Sequence, residues 1–194
     1  MNITQLTYPT ATIITLQEAK DHLRVTDNNQ DAVIFDCIKG ATSLIESYTG
    51  QLLQSSTYCA YLDEKEVAAY STLEIWKYPI TAISSVKYLN TSGTETTLDS
   101  ATYSTDITDC PSRIYLTSTP TTQADKLNVW RVYFTAGHTN RDYIAAELIN
   151  WVKIFTAFFY QTRQPEYAGY TVSEIAYKYK EALDKYRKDM LVWI

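Results

Sequence analysis

The chain has 194 residues, 45% hydrophobic and 20% charged, which excludes a largely disordered protein and suits one body of ordinary domain size with a real core. Seventeen Lys and Arg stand against 22 Asp and Glu, a net charge of -5 with no long basic run, and this excludes a free-standing phosphate-gripping surface. The same balance suits a protein that lines a passage for DNA without holding it.

The first residues, Met1 to Thr12, have no basic start and no long apolar core, so no secretory signal is expected and synthesis in a cytoplasm is. Tyr143 to Tyr160 is the most apolar stretch, but Glu147, Asn150 and Lys153 interrupt it, so no membrane span of about 20 apolar residues is expected. Cys37, Cys59 and Cys110 are lone and widely spaced, which offers neither a CxxC metal pair nor an even disulfide framework. Asn2-Ile3-Thr4 and Asn90-Thr91-Ser92 match the glycosylation acceptor pattern, which without a secretory signal reads as coincidence.

In chain order, Thr15-Leu16-Gln17-Glu18 is a capping box with Ile14 as a staple, and it predicts a short helix to about Leu23. Beyond the polar stretch Thr26 to Asp31, Ile34, Ile38, Ala41, Ile45 and Tyr48 recur at the helical period. Gly50 then stands where a left-handed helix cap is wanted. Residues 1–50 thus read as a helical hairpin with one apolar face.

From 51 to 137, β-branched and aromatic runs alternate with Ser, Thr, Asn, Gly and Pro. Strands are predicted at Leu52 to Leu62, Thr72 to Lys77, Ile83 to Leu89, Thr94 to Leu98, Tyr103 to Ile107, Arg113 to Leu116 and Val129 to Thr135. Asn90-Thr91-Ser92-Gly93 is the predicted hairpin turn between two of them. Residues 138–163 return to the helical period, with a helix predicted from Arg141 to about Gln161; its second half, Trp151 to Tyr160, is apolar nearly all round and must be covered on more than one side.

The extension 164–194 holds a last helix from about Ser173, striped by Ile175, Tyr179, Leu183, Tyr186, Met190 and Trp193. Glu174 with Lys178, Glu181 with Lys185 and Asp184 with Lys188 are i,i+4 pairs along it. The stripe requires a partner, its own body or another chain. The fold class is therefore α+β: a hairpin and C-terminal helices forming a helical bundle, with an inserted antiparallel β-sheet or sandwich.

Chemistry is sparse. His22 and His138 are the only histidines, and five scattered glycines form no phosphate-cradling loop. Asp27, Asp31 and Asp36 lack the spacing of a calcium loop and read as a solvated helix start. No catalytic, metal or cofactor-binding residue is assigned, and no cofactor is expected. Seventeen Tyr and four Trp mark the C-terminal aromatics as docking material. The docking-interface candidates are Trp151, Phe155, Phe158, Phe159, Tyr160, Ile175, Tyr179, Leu183, Tyr186, Met190 and Trp193.

The segment Ile14 to Val25, then Asp27 to Asp31, Ile34, Ile38, Ala41, Ile45-Glu46 and Tyr48-Thr49-Gly50, resembles the opening of the head-tail connector (adaptor) proteins of tailed bacteriophages. Tyr78-Pro79-Ile80, Ser85 to Tyr88, Gly93, Leu98, Tyr103, Arg113-Ile114 and Val132 to Gly137 resemble that family's β insertion, and Phe159-Tyr160 with Arg163 its usual finish. The resemblance spans Ile13 to Arg163 and carries no catalytic residues. It implies a structural virion protein in a ring, typically of twelve copies, beneath the portal protein. The ring would join the DNA-filled head to a downstream neck or tail protein, with DNA passing through its channel unread and no membrane involved. The inter-helix loop Asp27-Asn28-Asn29-Gln30-Asp31 is less acidic than is common in the family, and 164–194 runs past its usual end. In related connectors the C-terminal segment reaches into the portal, which implies the same for Ser173 to Ile194. The alternatives are another neck or tail protein (stopper, tail-completion or baseplate component), or a small ligand-binding module or enzyme, for which no convergent cluster of titratable residues can be assembled.

Overall fold

The computed structural model describes residues 1–9, 11–64, 67, 71–123, 126–162 and 180–188. It is α+β and divides into two compact units, one built from 1–9 and 54–138 and the other from 11–53 and 139–188.

The β-rich unit, which also holds a 3-10 turn at Ser100–Thr102, contains two antiparallel sheets. Strands β1 (Asn2–Gln5), β2 (Ser56–Leu62), β3 (Thr72–Ile75), β4 (Ile80–Leu89), β5 (Glu95–Thr97), β6 (Tyr103–Asp106), β7 (Ser112–Leu116) and β8 (Trp130–Ala136) pair as a five-stranded sheet β1-β2-β8-β4-β5 and a three-stranded sheet β3-β7-β6. The predicted strands are all present, each trimmed or shifted by a few residues. β1 is an addition: its four residues carry no strand signal of their own, and it exists because its backbone pairs with β2, Asn2 opposite Tyr61 and Gln5 opposite Tyr58.

The central strand β8 shows why alternation is decisive. Trp130, Val132, Phe134 and Ala136 are buried while Arg131, Tyr133 and Thr135 keep partial exposure, so one face supplies core and the other faces outward. Phe134 stacks on Tyr58 of β2 at 5.5 Å between ring centroids, a favourable cross-strand pair. The predicted turn also forms as read. The Asn90 side-chain oxygen accepts from the Ser92 and Thr94 amides at 3.0 Å each, and Gly93 takes φ +78°, a region open to glycine.

The helical unit holds α1 (Leu16–Leu23), α2 (Asp31–Thr49), α3 (Ala146–Gln161) and α4 (Lys180–Asp184). The capping box is complete: the Glu18 amide donates to the Thr15 hydroxyl at 3.1 Å and the Thr15 amide to the Glu18 carboxylate at 2.8 Å. Gly50 takes φ +69° as the left-handed cap of α2. Residues Arg141–Tyr143, predicted as the start of the third helix, instead form a separate 3-10 turn capped by the Asn140 side chain, and α3 begins only at Ala146. Periodicity counts Tyr143 and Ile144 into the helix, whereas Ile144 is extended and drops its side chain into the core. The last helix is described only from Lys180, so its predicted start near Ser173 lies outside the described residues, as do the side chains of Glu174, Lys178 and Glu181.

The core of this unit joins Ile34, Ile38, Ala41 and Ile45 of α2 to Leu148, Val152 and Phe155 of α3, with Ile13, Ile14 and Ala19 from the α1 side. On α2 this is the apolar face read from the sequence; which residues of the all-round apolar third helix join it is settled by packing.

Candidate subunit interface

The candidate docking residues sort by burial. Phe155 is 0% exposed and Leu183 1%, so both belong to the subunit's own core. Trp151, Phe158, Phe159, Tyr160 and Tyr186 are partly buried and pack against that core from its margin. Ile175, Tyr179, Met190 and Trp193 lie outside the described residues. Trp151 and Phe155 are tilted neighbours at 6.0 Å, and Phe158 and Phe159 at 5.9 Å. Phe159 rests over α2 where Gly40 lacks a side chain; a Cβ there would sit 3.6 Å from its ring. The demand that α3 be covered on more than one side is therefore met only in part by α2, and Trp151 and Phe158, one above the other at i and i+7, keep a half-buried aromatic margin.

The striped tail has a partner in its own body at its described end. Leu183 is buried, the Tyr48 hydroxyl donates to the Asp184 carboxylate at 2.5 Å, and the Lys188 amide donates to the Thr49 carbonyl at 2.8 Å. Gln51 donates to the Tyr186 carbonyl, the Tyr186 hydroxyl donates to Glu147 at 2.8 Å, and Lys185 pairs with Glu147. Burial, then the Asp184 carboxylate, push the Tyr48 hydroxyl up to about 12; it remains a protonated donor at any physiological pH.

A second polar assembly ties the start of α1 to α3. Arg141 grips both oxygens of Glu18 at 2.8 Å each, and Lys153 stands 3.5 Å away. The hydrogen bonds from Arg141 hold the Glu18 carboxyl down to about 2 against an ordinary 4.5. Because the folded value is depressed, the stabilisation is complete above pH 4.5 and lost as pH falls through 2. Glu18 is 29% and Arg141 39% exposed, so solvent screening trims the contribution to about 1 to 2 kcal/mol. Glu18→Gln is expected to lower stability by about that amount at pH 7 and to flatten the acid limb between pH 4.5 and 2, read by urea unfolding across that range. The capping box announces Glu18 in the sequence; its partners, over a hundred positions away, have no local signal.

Lys20, buried at 5%, donates to Asn28 at 2.6 Å and Asp31 at 2.8 Å, and Asp27 accepts from the Asn29 amide. The three acids of this region are thus not convergent: Asp31 pairs with Lys20, Asp27 turns the loop, and Asp36 is exposed on α2. Among the described residues no group of three His, Cys, Asp or Glu side chains could hold a metal ion, and no helix is long and apolar enough to cross a membrane. His22 is exposed; burial pushes His138 down and the Cys59 thiol up, the opposite of what an activated thiol needs. On the outward face of the five-stranded sheet, Glu95 is shared by Lys87 at 2.8 Å and Arg131, with Lys87 over the Tyr133 ring at 5.0 Å and Arg131 over Tyr61 at 5.8 Å. These are structural pairings.

The sequence model of the phage gp6-like head-tail connector proteins matches residues 13–110, which is 98 of the 194 positions. This chain belongs to the phage gp6-like head-tail connector family. The connector's role is accordingly structural, as a head-tail connector, and not enzymatic. No curated protein matches the sequence. Among solved structures, the fold of the connector resembles a chain in the neck of an empty gene transfer agent particle computed with C6 symmetry, at TM-score 0.75 and 18% identity. It also resembles one in the neck of the native particle computed with C12 symmetry, at TM-score 0.76 and 17% identity. Each likeness covers 100% of this chain and 99% of the other, so the two units and their order of elements recur end to end.

Proposed function

We propose that the connector acts as one subunit of a closed ring, of twelve copies, seated beneath the portal protein and presenting a platform to the next neck or tail protein. The observation that carries this reading is the end-to-end likeness of fold to chains from particle necks computed with C6 and C12 symmetry. Family membership supplies the head-tail setting. The half-buried aromatics Trp151, Phe158, Phe159 and Tyr160 on α3 are the docking material of the ring, because they supply large contact area without being used up by the subunit's own core. DNA passes the ring without being gripped, in keeping with a net charge of -5 and the lack of a basic run. The segment Ser173 to Ile194 contributes the portal contact, its inner part anchored by Leu183 and Tyr186.

Purified connector mixed with portal and imaged by negative stain tests the reading. Closed twelve-membered rings stacked on portal are expected; a protein that stays monomeric and ignores portal overturns it. If deletion of Ser173 to Ile194 left portal capture unchanged in a pull-down, the assigned portal contact would be wrong.

A further inference from the structure

The eight strands carry few charges, and the two sheets carry them in opposite balance. The five-stranded sheet holds Lys87 on β4, Arg131 on β8 and Glu95 on β5. Two cations share one carboxylate on its outward face, an excess of one positive charge. The three-stranded sheet holds Glu74 on β3, Asp106 on β6 and Arg113 on β7. The register sets Arg113 opposite both Glu74 and Asp106. All three are exposed, while Leu73, Ile75, Ile114 and Leu116 of the same strands are buried. Two carboxylates thus flank one cation on that outward face, an excess of one negative charge.

Both faces also present tyrosine. Lys87 lies over the Tyr133 ring and Arg131 over the Tyr61 ring, with both cations still 30% exposed. On the other sheet Tyr115, 52% exposed, stands opposite Thr72 and Ser104. It shares its face with Arg113, two residues earlier on β7. Tyr and Arg are the residue types enriched at the centres of protein contacts. Like faces repel and unlike faces attract, so neither sheet is suited to pair with its own counterpart, and each is suited to the other. A ring of identical subunits needs such a pair, one surface meeting a different, complementary surface on the next copy.

We propose that in the assembled connector the outward face of the five-stranded sheet docks on the outward face of the three-stranded sheet of the neighbouring copy, with Lys87 and Arg131 meeting Glu74 and Asp106. This rests on the ring reading above and names one contact within it. Three strands of four or five residues offer a flat face of roughly 200 Å², against the about 800 Å² per partner of a stable interface. The contact therefore does not hold the ring alone; it sets direction and register, which is what complementary charge contributes most to an interface.

Whole-face charge inversion tests it and keeps opposite charges paired within each sheet. One full-length variant carries Glu74→Lys, Asp106→Lys and Arg113→Glu; the other carries Lys87→Glu, Arg131→Glu and Glu95→Lys. Each alone sets like charge against like and is expected to lose ring yield on portal by about tenfold or more, while melting as the unmodified chain does. Mixed in equal amounts, the two should restore rings in which the variants alternate, because each inverted face then meets the inverted face of the other. Should the K87E/R131E/E95K chain fail to fold, the exposed pair Glu74→Gln and Asp106→Gln in an otherwise unmodified chain is expected to lower ring yield, and unchanged yield overturns the contact. Folded inverted variants that form rings singly, or whose mixture forms none, overturn it and leave the ring reading intact. Inverted variants that form normal rings but no longer hold portal assign these faces to portal and overturn it equally. An unmodified chain that forms no rings on portal overturns the ring reading, and this contact with it.

Discussion

Replacing Gly137 by Ala is expected to abolish soluble, folded connector. Gly137 follows β8 at φ +97°, a conformation an L side chain rarely adopts, and an added Cβ would lie 2.0 Å from the Gln54 carbonyl oxygen and 2.9 Å from the Ser55 amide nitrogen. Those neighbours are backbone and cannot swing aside as a flexible side chain can. Their positions are fixed by the Ser55 amide donating to the His138 carbonyl at 3.1 Å and the Gly137 amide donating to the Pro79 carbonyl at 2.8 Å. Backbone strain alone contributes about 1 to 3 kcal/mol, and displacing the entry to β2 adds the loss of its register with β8. The total reaches a sizeable share of a domain's stability of about 5 to 15 kcal/mol. Gly40→Ala is the control. Gly40 lies within α2 at an ordinary helical φ, its added Cβ would meet only the Phe159 ring at 3.6 Å, and the substitution should stabilise by about 0.5 to 1 kcal/mol. Yield in the soluble fraction and thermal melting distinguish the two; a G137A protein that melts normally would remove the close-approach account.

The second large effect separates folding from assembly on a single helix. Phe155→Ala should cost about 3 to 5 kcal/mol, because it empties a fully buried site between α2 and α3 that the surrounding helices cannot collapse to fill. Trp151→Ala combined with Phe158→Ala should cost less stability, since both side chains are already partly exposed, yet it should eliminate rings on portal. The measurements are chemical denaturation for stability and negative stain for assembly. If W151A/F158A assembled rings like the unmodified chain, the aromatic margin of α3 would not be the ring contact. If F155A were as stable as the double variant, the division between core and margin would be wrong.

The sequence made several features legible because each is written in consecutive residues. Thr15 to Glu18 specified a helix start through its own backbone amides, Gly50 marked a left-handed position, and Asn90 to Gly93 closed a turn within four residues. The alternation of Trp130, Val132 and Phe134 against Arg131 set a face for β8. Where the reading and the structure part, a contact that hydrophobic periodicity does not register is responsible. The helical period reads from Arg141 onward, but the Asn140 side chain caps a separate turn and Ile144 is drawn into the core. β1 has no local pattern at all.

The sequence by itself determined the α+β class and the order of most helices and strands, because periodicity, capping and turn chemistry act over a few neighbouring residues; membership of the connector family came from the likeness of residues 13–110 to that family. Only the tertiary structure decided that the strands split into sheets of five and three, that Phe155 and Leu183 are spent on the core while Trp151 and Phe158 remain at its margin, and that Glu18 closes on Arg141. Each of those outcomes is a choice of partner among residues far apart in the chain. Such choices are made by packing and desolvation once the elements meet, and no local pattern encodes them.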